Sequence, residues 1–208
     1  MKHIIKAQEP SSFTQWKNQE NDQWQANYKN LSGDVKQDIK KSLMIEQGYL
    51  CCYCESKLED NNSHIEHFKP RKKYPDEELN FSNLLCSCLS NLTKGDPNHC
   101  GNLKSDYFDE KLLISPTDQE CENSFKYTGD GYIEPKNSQD KPAVETIKIL
   151  GLNITKLIAD RSEIINVFLD PDINQFQFQE FVIKYLQKDE EGKFRPFWST
   201  IKYIFLTE

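Results

Sequence analysis

The sequence predicts an α+β fold, with helices at both ends and a middle of short strands framed by cysteines. Three observations predict it. Apolar residues recur at three- and four-residue spacing before Gly48 and again from Pro142 onward, the period of a helix with one buried face. Between those stretches the apolar pieces shorten and are separated by Asn, Asp, Gly and Pro, the signature of strands and turns. Four of the seven cysteines, Cys51, Cys54, Cys88 and Cys100, bracket this middle at a spacing suited to metal ligation.

Taken in order, Ser11 or Ser12 caps a first helix carrying Phe13, Trp16 and Trp24. A second helix runs from about Asp34 to Gln47, with Val35, Ile39, Leu43 and Met44 at helical spacing, and Gly48 ends it. Tyr49–Tyr53, His64–Phe68 and Leu84–Cys88 are expected as short strands and knuckles. A helix start is expected near Asn102–Tyr107. An irregular or hairpin segment follows through Leu113–Pro116 and Phe125–Ile133, where Thr128-Gly-Asp-Gly131 signals a turn. The rest reads as helix: Pro142–Leu150 closed by Gly151; Asn153–Leu169, capped by Asn153 and stopped by Pro171; Asp172–Gln187; and Pro196–Leu206. Ile154, Leu157, Ile158, Ile164, Ile165 and Phe168 recur at three and four, which is core packing. The chain divides into an N-terminal helical lead (1–47), a cysteine-framed core (48–116), and a hairpin with a helical C-terminal part (117–208).

At 208 residues and 37% hydrophobic, the chain can build a real core. Met1-Lys-His-Ile-Ile-Lys is too short and polar for a signal peptide, and no apolar run approaches the roughly 20 residues that span a bilayer. A cytoplasmic location is therefore expected. An odd number of cysteines without an export signal favours metal ligation over disulfides. Cys51, Cys54, Cys88 and Cys100 suit a closed tetrahedral structural zinc, leaving Cys52, Cys86 and Cys121 as small buried hydrophobes. Net charge is −7, from 26 basic and 33 acidic residues, which disfavours holding a polyanion alone and points to a partner. The basic residues nevertheless gather where they matter. Lys69, Arg71, Lys72 and Lys73 follow His67 directly, and Lys94 and Lys104 fall near the later cysteines, which suits contact with phosphates.

The middle also holds His64-Ile-Glu66-His67-Phe-Lys-Pro70, whose imidazole and carboxylate suit a harder cation than the thiolates do. Hydrolysis of a phosphodiester needs a base to deprotonate water and a cation to stabilise the developing charge, and one imidazole with one ion suffices. In a strand, His64, Glu66 and Phe68 share one face while Ile65 and His67 share the other, so Glu66 and His67 point apart unless the strand ends there, as Pro70 and the basic loop suggest it does. A loop from Lys69 to Phe81 returns Asn83, whose amide can bond the imidazole and orient it. Asn102, opening a helix after Cys100, can present its oxygen to the same cation.

His64-Ile-Glu66-His67-Phe-Lys-Pro70, then Asn83-Leu-Leu, then Cys100-Gly-Asn102-Leu-Lys104 together resemble the HNH endonuclease signature. Glu46-Gln-Gly48-Tyr-Leu-Cys-Cys-Tyr-Cys54-Glu, Leu113-Ile-Ser-Pro116, Gly129-Asp-Gly131 and Glu145-Thr-Ile-Lys-Ile-Leu-Gly-Leu-Asn153 extend the resemblance to the PtuB-type HNH proteins of Septu and retron-associated anti-phage defence. It spans most of the chain, and the last 40 residues carry no part of it.

The resemblance implies a ββα-metal (His-Me finger) core with an embedded zinc site of four cysteines. It implies His67 as general base, Glu66 and Asn102 as Mg²⁺ or Mn²⁺ ligands, and Asn83 as the orienting residue. Where many HNH enzymes carry a further His, this chain has Gly101 and Asn102, with His99 just before Cys100. Asn102, His99 and His64 are thus the candidates to complete the divalent site. Phosphate contact is assigned to Lys69, Arg71, Lys72, Lys73 and Lys104. The implied partners are a PtuA-type ATPase, the nucleic acid cleaved and, in retron systems, a reverse transcriptase with its msDNA. The competing expectation is a catalytically inactive, zinc-stabilised adaptor that binds the ATPase or nucleic acid. Such an adaptor has no need of Glu66, His67 and Asn83 together.

Overall fold

A computed structural model describes residues 1–31, 33–169 and 175–206. The first helix, α1 (Ser11–Lys17), starts after Pro10 and turns Phe13 fully into the core, where Trp16 stacks on it with ring centroids 6.0 Å apart. It stops before Trp24, shorter than expected. The polar run from Asn18 forms local turns instead, with Asn21 Oδ1 accepting from the Gln23 N–H, and such side-chain bonds compete with helix. Trp24 still reaches the first helix by packing edge-on against Trp16.

The second helix, α2 (Gly33–Glu46), buries Ile39, Leu43 and Met44. Truncating a buried Leu such as Leu43 to Ala costs about 2–5 kcal/mol. Gly48, at φ +60°, ends the helix through two C-terminal bonds, Tyr49 N–H to Met44 O at 2.8 Å and Gly48 N–H to Ile45 O at 3.0 Å. A Cβ at Gly48 would lie 2.3 Å from the Phe194 ring, so both the turn and the docked C-terminal part require glycine.

Of the three segments expected as short strands and knuckles, Tyr49–Tyr53 is a knuckle. Cys51 N–H bonds Ser56 O at 2.8 Å, Glu55 N–H bonds Cys51 O at 3.1 Å, and Leu50 pairs Lys57 in an isolated bridge. Two residues between Cys51 and Cys54 leave no room for a ladder once the chain reverses. Two true strands follow, β1 (Ser63–His67) and β2 (Leu84–Cys88), antiparallel, with Glu66 opposite Leu85 and His67 opposite Leu84. The buried Gln47 amide ties knuckle to hairpin. Its Nε2 donates to Leu50 O and Cys86 O, both at 2.8 Å, and its Oε1 accepts from Cys86 N–H at 2.7 Å. The short helix α3 (Cys100–Lys104) packs on β2.

Beyond α3 the Thr128–Gly131 turn joins β3 (Phe125–Tyr127) to β4 (Ile133–Pro135), as the sequence predicts, whereas Leu113–Pro116 forms no ladder. Helix α4 (Lys141–Ile149) is capped by Asp140, whose Oδ1 accepts from Ala143 N–H at 3.1 Å. Asn153 does not cap the next helix, α5 (Thr155–Val167). Its side chain brackets Ile133 N–H and C=O and meets the buried Arg161, which also donates to Gly131 O and Leu152 O. Orphaned carbonyls of the hairpin and of the α4–α5 turn take that amide and guanidinium, and burial makes those bonds costly to lose. Pro171 and the start of the helix expected from Asp172 lie outside the described residues. Helices α6 (Gln175–Leu186) and α7 (Trp198–Leu206) close the chain around a small core of Ile165, Phe168, Val182, Tyr185 and Ile201. The main core draws buried residues from all three expected segments, from Met1 to Phe197. Among the described residues, no helix is long and apolar enough to cross a membrane.

Candidate functional site

The knuckle delivers Cys51 and Cys54, the end of β2 delivers Cys88, and the start of α3 delivers Cys100, whose own backbone sits at φ +56°. All four sulfurs lie within 4.8 Å of one another and all are buried, an arrangement that could hold a metal ion. Cys54 and Cys88 Sγ are 3.8 Å apart, and Cys88 N–H donates to Cys51 Sγ at 3.4 Å. Burial pushes these thiols up. At Cys51 the neighbouring sulfurs outweigh that effect and hold it well below its ordinary value; at Cys54 they bring it to about 7, while Cys100 stays well above. A cluster in which some sulfurs ionise only at the expense of others is stabilised by a bound cation. Cys52, Cys86 and Cys121 lie outside the cluster, and burial pushes Cys86 and Cys121 up to about 12, as befits small buried hydrophobes. His99 is buried beside the cluster, its Nδ1 3.0 Å from Cys100 Sγ.

On the same hairpin a second centre forms. His64 and Glu66 share the face of β1 that meets α3, with His64 Nε2 3.7 Å from Glu66 Oε2. Gly101 makes this possible, because a Cβ there would stand 2.6 Å from Glu66 Oε2 and 2.9 Å from His64 Nε2. Glu66 Oε1 accepts from Lys104 Nζ at 2.7 Å and from the Tyr53 hydroxyl at 3.1 Å. Burial alone would raise the Glu66 carboxyl, but the His64 ring and the Lys104 ammonium outweigh it and hold it below its ordinary value. Glu66 is thus a buried carboxylate kept ionised.

His67 ends the strand on the opposite face. Its Nε2 meets Glu78 O at 3.0 Å, and because a carbonyl only accepts, Nε2 carries the proton and Nδ1 the lone pair. The Tyr28 ring packs edge-on against the imidazole at 4.6 Å. Burial, with Arg71 and Lys104 nearby, holds His67 down to about 4, so the ring is neutral at pH 7. His64, Glu66, His67, Arg71, Lys72, Gly101 and Asp106 line one open cleft of 530 Å³.

Several expected contacts differ. Asn83 does not bond the imidazole: its Oδ1 accepts from Lys69 N–H at 2.7 Å, and its Nδ2 donates to Lys69 O and Glu77 O, both at 3.0 Å. It clamps the loop whose Glu78 carbonyl holds His67, so any orienting effect is indirect. Asn102 donates its amide to Leu89 O and is not among the residues that line the cleft. Lys104, expected on phosphate, is buried at 1% side-chain exposure and bonds Glu66 and His67 O, because the helix that carries it lies on the hairpin. Lys69 pairs with Glu77 at 3.0 Å, while Arg71, Lys72 and Lys73 are exposed. Tyr28, Tyr53 and Glu78 were not anticipated. Only Tyr53, inside the Cys51–Cys54 knuckle and so bound to lie near the site, carried a signal that could have found it.

The site thus comprises a short antiparallel hairpin followed by a helix, with four clustered thiols and an acidic-His pair. No family model matches the sequence. The chain is 35% identical over 136 residues to the "Retron Vc95 putative HNH endonuclease" of Vibrio cholerae, covering 62% of this chain and 64% of that protein. It is 30% identical over 196 residues to the "Retron Ec83 putative HNH endonuclease" of Escherichia coli, covering 76% of each. It is 28% identical over 118 residues to the Septu protein PtuB of Bacillus thuringiensis, covering 55% of this chain and 41% of that protein. The match thus spans just under two thirds of the Vibrio relative and less than half of PtuB. The chain belongs to this family of retron- and Septu-associated HNH proteins.

Proposed function

We propose that this protein is a metal-dependent HNH endonuclease acting in phage defence, with β1, β2 and α3 forming a ββα-metal core within residues 48–116. The carrying observation is the cleft itself, where a neutral imidazole with a fixed tautomer stands beside an ionised carboxylate and a second imidazole. The four-cysteine cluster is read as structural zinc: thiolates about 2.3 Å from one tetrahedral ion lie about 3.8 Å apart, the spacing of Cys54 and Cys88. A Mg²⁺ or Mn²⁺ at the cleft would supply charge stabilisation for the phosphorane and the leaving oxygen. Of the three candidates to complete its site, His99 is buried at the cysteines and Asn102 is committed to Leu89 O, so His64 joins Glu66.

His67 accepts the proton of the attacking water at Nδ1. In the free protein its low proton affinity keeps the ring neutral, and an arriving phosphodiester, by adding negative charge, raises that affinity toward the range where a base is effective. Asn83 holds the 69–77 loop, and through it Glu78 O fixes the imidazole. Arg71, Lys72 and Lys73 contact phosphate. A PtuA-type ATPase supplies the remaining grip that a chain of net charge −7 lacks, in the cytoplasm and, in a retron setting, beside a reverse transcriptase and its msDNA.

The test is cleavage of labelled DNA and RNA panels with Mg²⁺ or Mn²⁺ by the protein with its partner, comparing wild type with His67→Ala. The expected result is cleavage that the variant loses while keeping its metal and its fold. The inactive-adaptor reading instead predicts no cleavage by either.

A further inference from the structure

Tyr28 belongs to no motif, lies in the turn between α1 and α2, and is far in sequence from the hairpin. Its ring nevertheless meets the His67 imidazole edge-on, with centroids 4.6 Å apart and planes at 81°. Its backbone N–H donates to Glu78 Oε1 at 3.1 Å, and the carbonyl of that same Glu78 receives His67 Nε2–H at 3.0 Å. One loop residue thus holds the imidazole with its backbone and Tyr28 with its side chain, and Tyr28 closes the ring of contacts on the imidazole. The face of the tyrosine carries a second load. The Arg71 guanidinium carbon lies 4.2 Å from its centroid, and Lys36 Nζ lies 5.2 Å away. No hydrogen bond from the Tyr28 hydroxyl is among these contacts, so the ring, and not the phenol, is what the site uses.

We propose that Tyr28 is a positioning residue of the nuclease site: with Glu78 it fixes the plane of His67, and its face sets Arg71 at a constant distance from that base. The inference rests on the reading of His67 as the base. It extends the active site to the N-terminal lead, which the motif in residues 64–104 does not include. An imidazole held at Nε2 alone can still swing about that bond, and the edge contact removes the swing. Since displacement of a catalytic group by about 1 Å can cost on the order of 10²-fold in rate, loss of the ring is expected to appear in kcat.

The experiment is steady-state cleavage by the full chain with its partner, comparing Tyr28→Leu, Tyr28→Phe and His67→Ala, each checked for fold by thermal melting and for metal content. Tyr28→Leu should lower kcat about tenfold or more and raise KM a few-fold through the loosened Arg71, while Tyr28→Phe stays within about twofold of wild type. A structural role alone would not give that split with rescue by Phe. An unchanged kcat in folded Tyr28→Leu, or a change in KM alone, overturns the proposal, as does Tyr28→Phe behaving like Tyr28→Leu. If Tyr28→Leu does not fold, Glu78→Ala, which releases the Tyr28 N–H at a half-buried position, is read in its place. A kcat lowered by threefold or more supports the holder, and an unchanged one removes it. Wild-type cleavage by His67→Ala would instead sink the base assignment itself, whereas an inactive His67→Ala beside a fully active Tyr28→Leu sinks only this proposal.

Discussion

Lys104→Met isolates the charge balance at the centre of the site. The ammonium is 1% exposed, lies 2.7 Å from Glu66 Oε1, and donates to His67 O at 3.0 Å. The substitution keeps the length and packing of the side chain and removes the charge. Among the described residues it leaves Glu66, its side chain 8% exposed, with the Tyr53 hydroxyl and the His64 ring for company. Removing one partner of a buried ion pair costs about 3–5 kcal/mol because the other charge stays behind without compensation. For a chain of this size that is a loss of roughly 6–20 °C in Tm. The sign is checked by a second substitution. Glu66→Gln in the Lys104→Met background removes the stranded charge, so the double variant should recover part of the loss and melt above the single one. Added Mn²⁺ should also stabilise Lys104→Met more than wild type, because the ion no longer competes with an ammonium for the Glu66 carboxylate. Thermal or urea unfolding at pH 7 reads all three. A Lys104→Met variant as stable as wild type, or a double variant less stable than Lys104→Met, would refute the reasoning that this lysine exists to balance Glu66.

His67→Ala should lower cleavage by about 10²–10⁴ with the fold retained, read by single-turnover assays on labelled nucleic acid. Stability should also fall with acid. The folded His67 is held down to about 4 while the unfolded ring titrates near 6.5, so the neutral ring's contribution is full above pH 6.5 and is lost as pH drops toward 4. That window is worth up to about 3 kcal/mol, and unfolding of His67→Gln across it should show a flatter pH dependence than wild type. Cys51→Ser or Cys100→Ser should lose the bound metal together with folded protein, whereas Cys86→Ser should keep both, as elemental analysis of the purified chain will show. Neutralising Arg71, Lys72 and Lys73 should leave binding by the partner complex largely intact. The salt slope on duplex DNA should become shallower by at most about 2.7, since each phosphate contact contributes about 0.9, while cleavage falls strongly.

The contacts that set the chemistry fall outside what local pattern encodes. Asn83 looked free to orient the imidazole, but the loop it faces offered backbone groups that needed partners, and a buried amide bonds the nearest unsatisfied ones. Lys104 looked like part of a basic surface, yet its helix lies on the hairpin and turns it into the counter-ion of Glu66. The same packing separates Asn102 from the cleft and brings His64 to it, with Gly101 leaving the space between. Trp24 and Asn153 show the rule on a smaller scale, since each sits where tertiary contacts, and not the helical period, decide its partner.

What the sequence determined by itself was the kind of each main element and the set of four thiols that come together in a cluster able to hold a metal ion. Helical period, a C-terminal glycine and a two-residue cysteine spacing are local properties, and physics reads them over a handful of neighbours. Pro70 and the basic run after His67 likewise signalled that the strand ends there, and β1 stops at His67. Only the tertiary structure decided that Tyr28 packs on His67, that Glu78 fixes its tautomer, and that Lys104 holds Glu66 ionised. Those contacts join residues distant in the chain, and their energies exist only once the hairpin, α3 and the N-terminal lead are packed together.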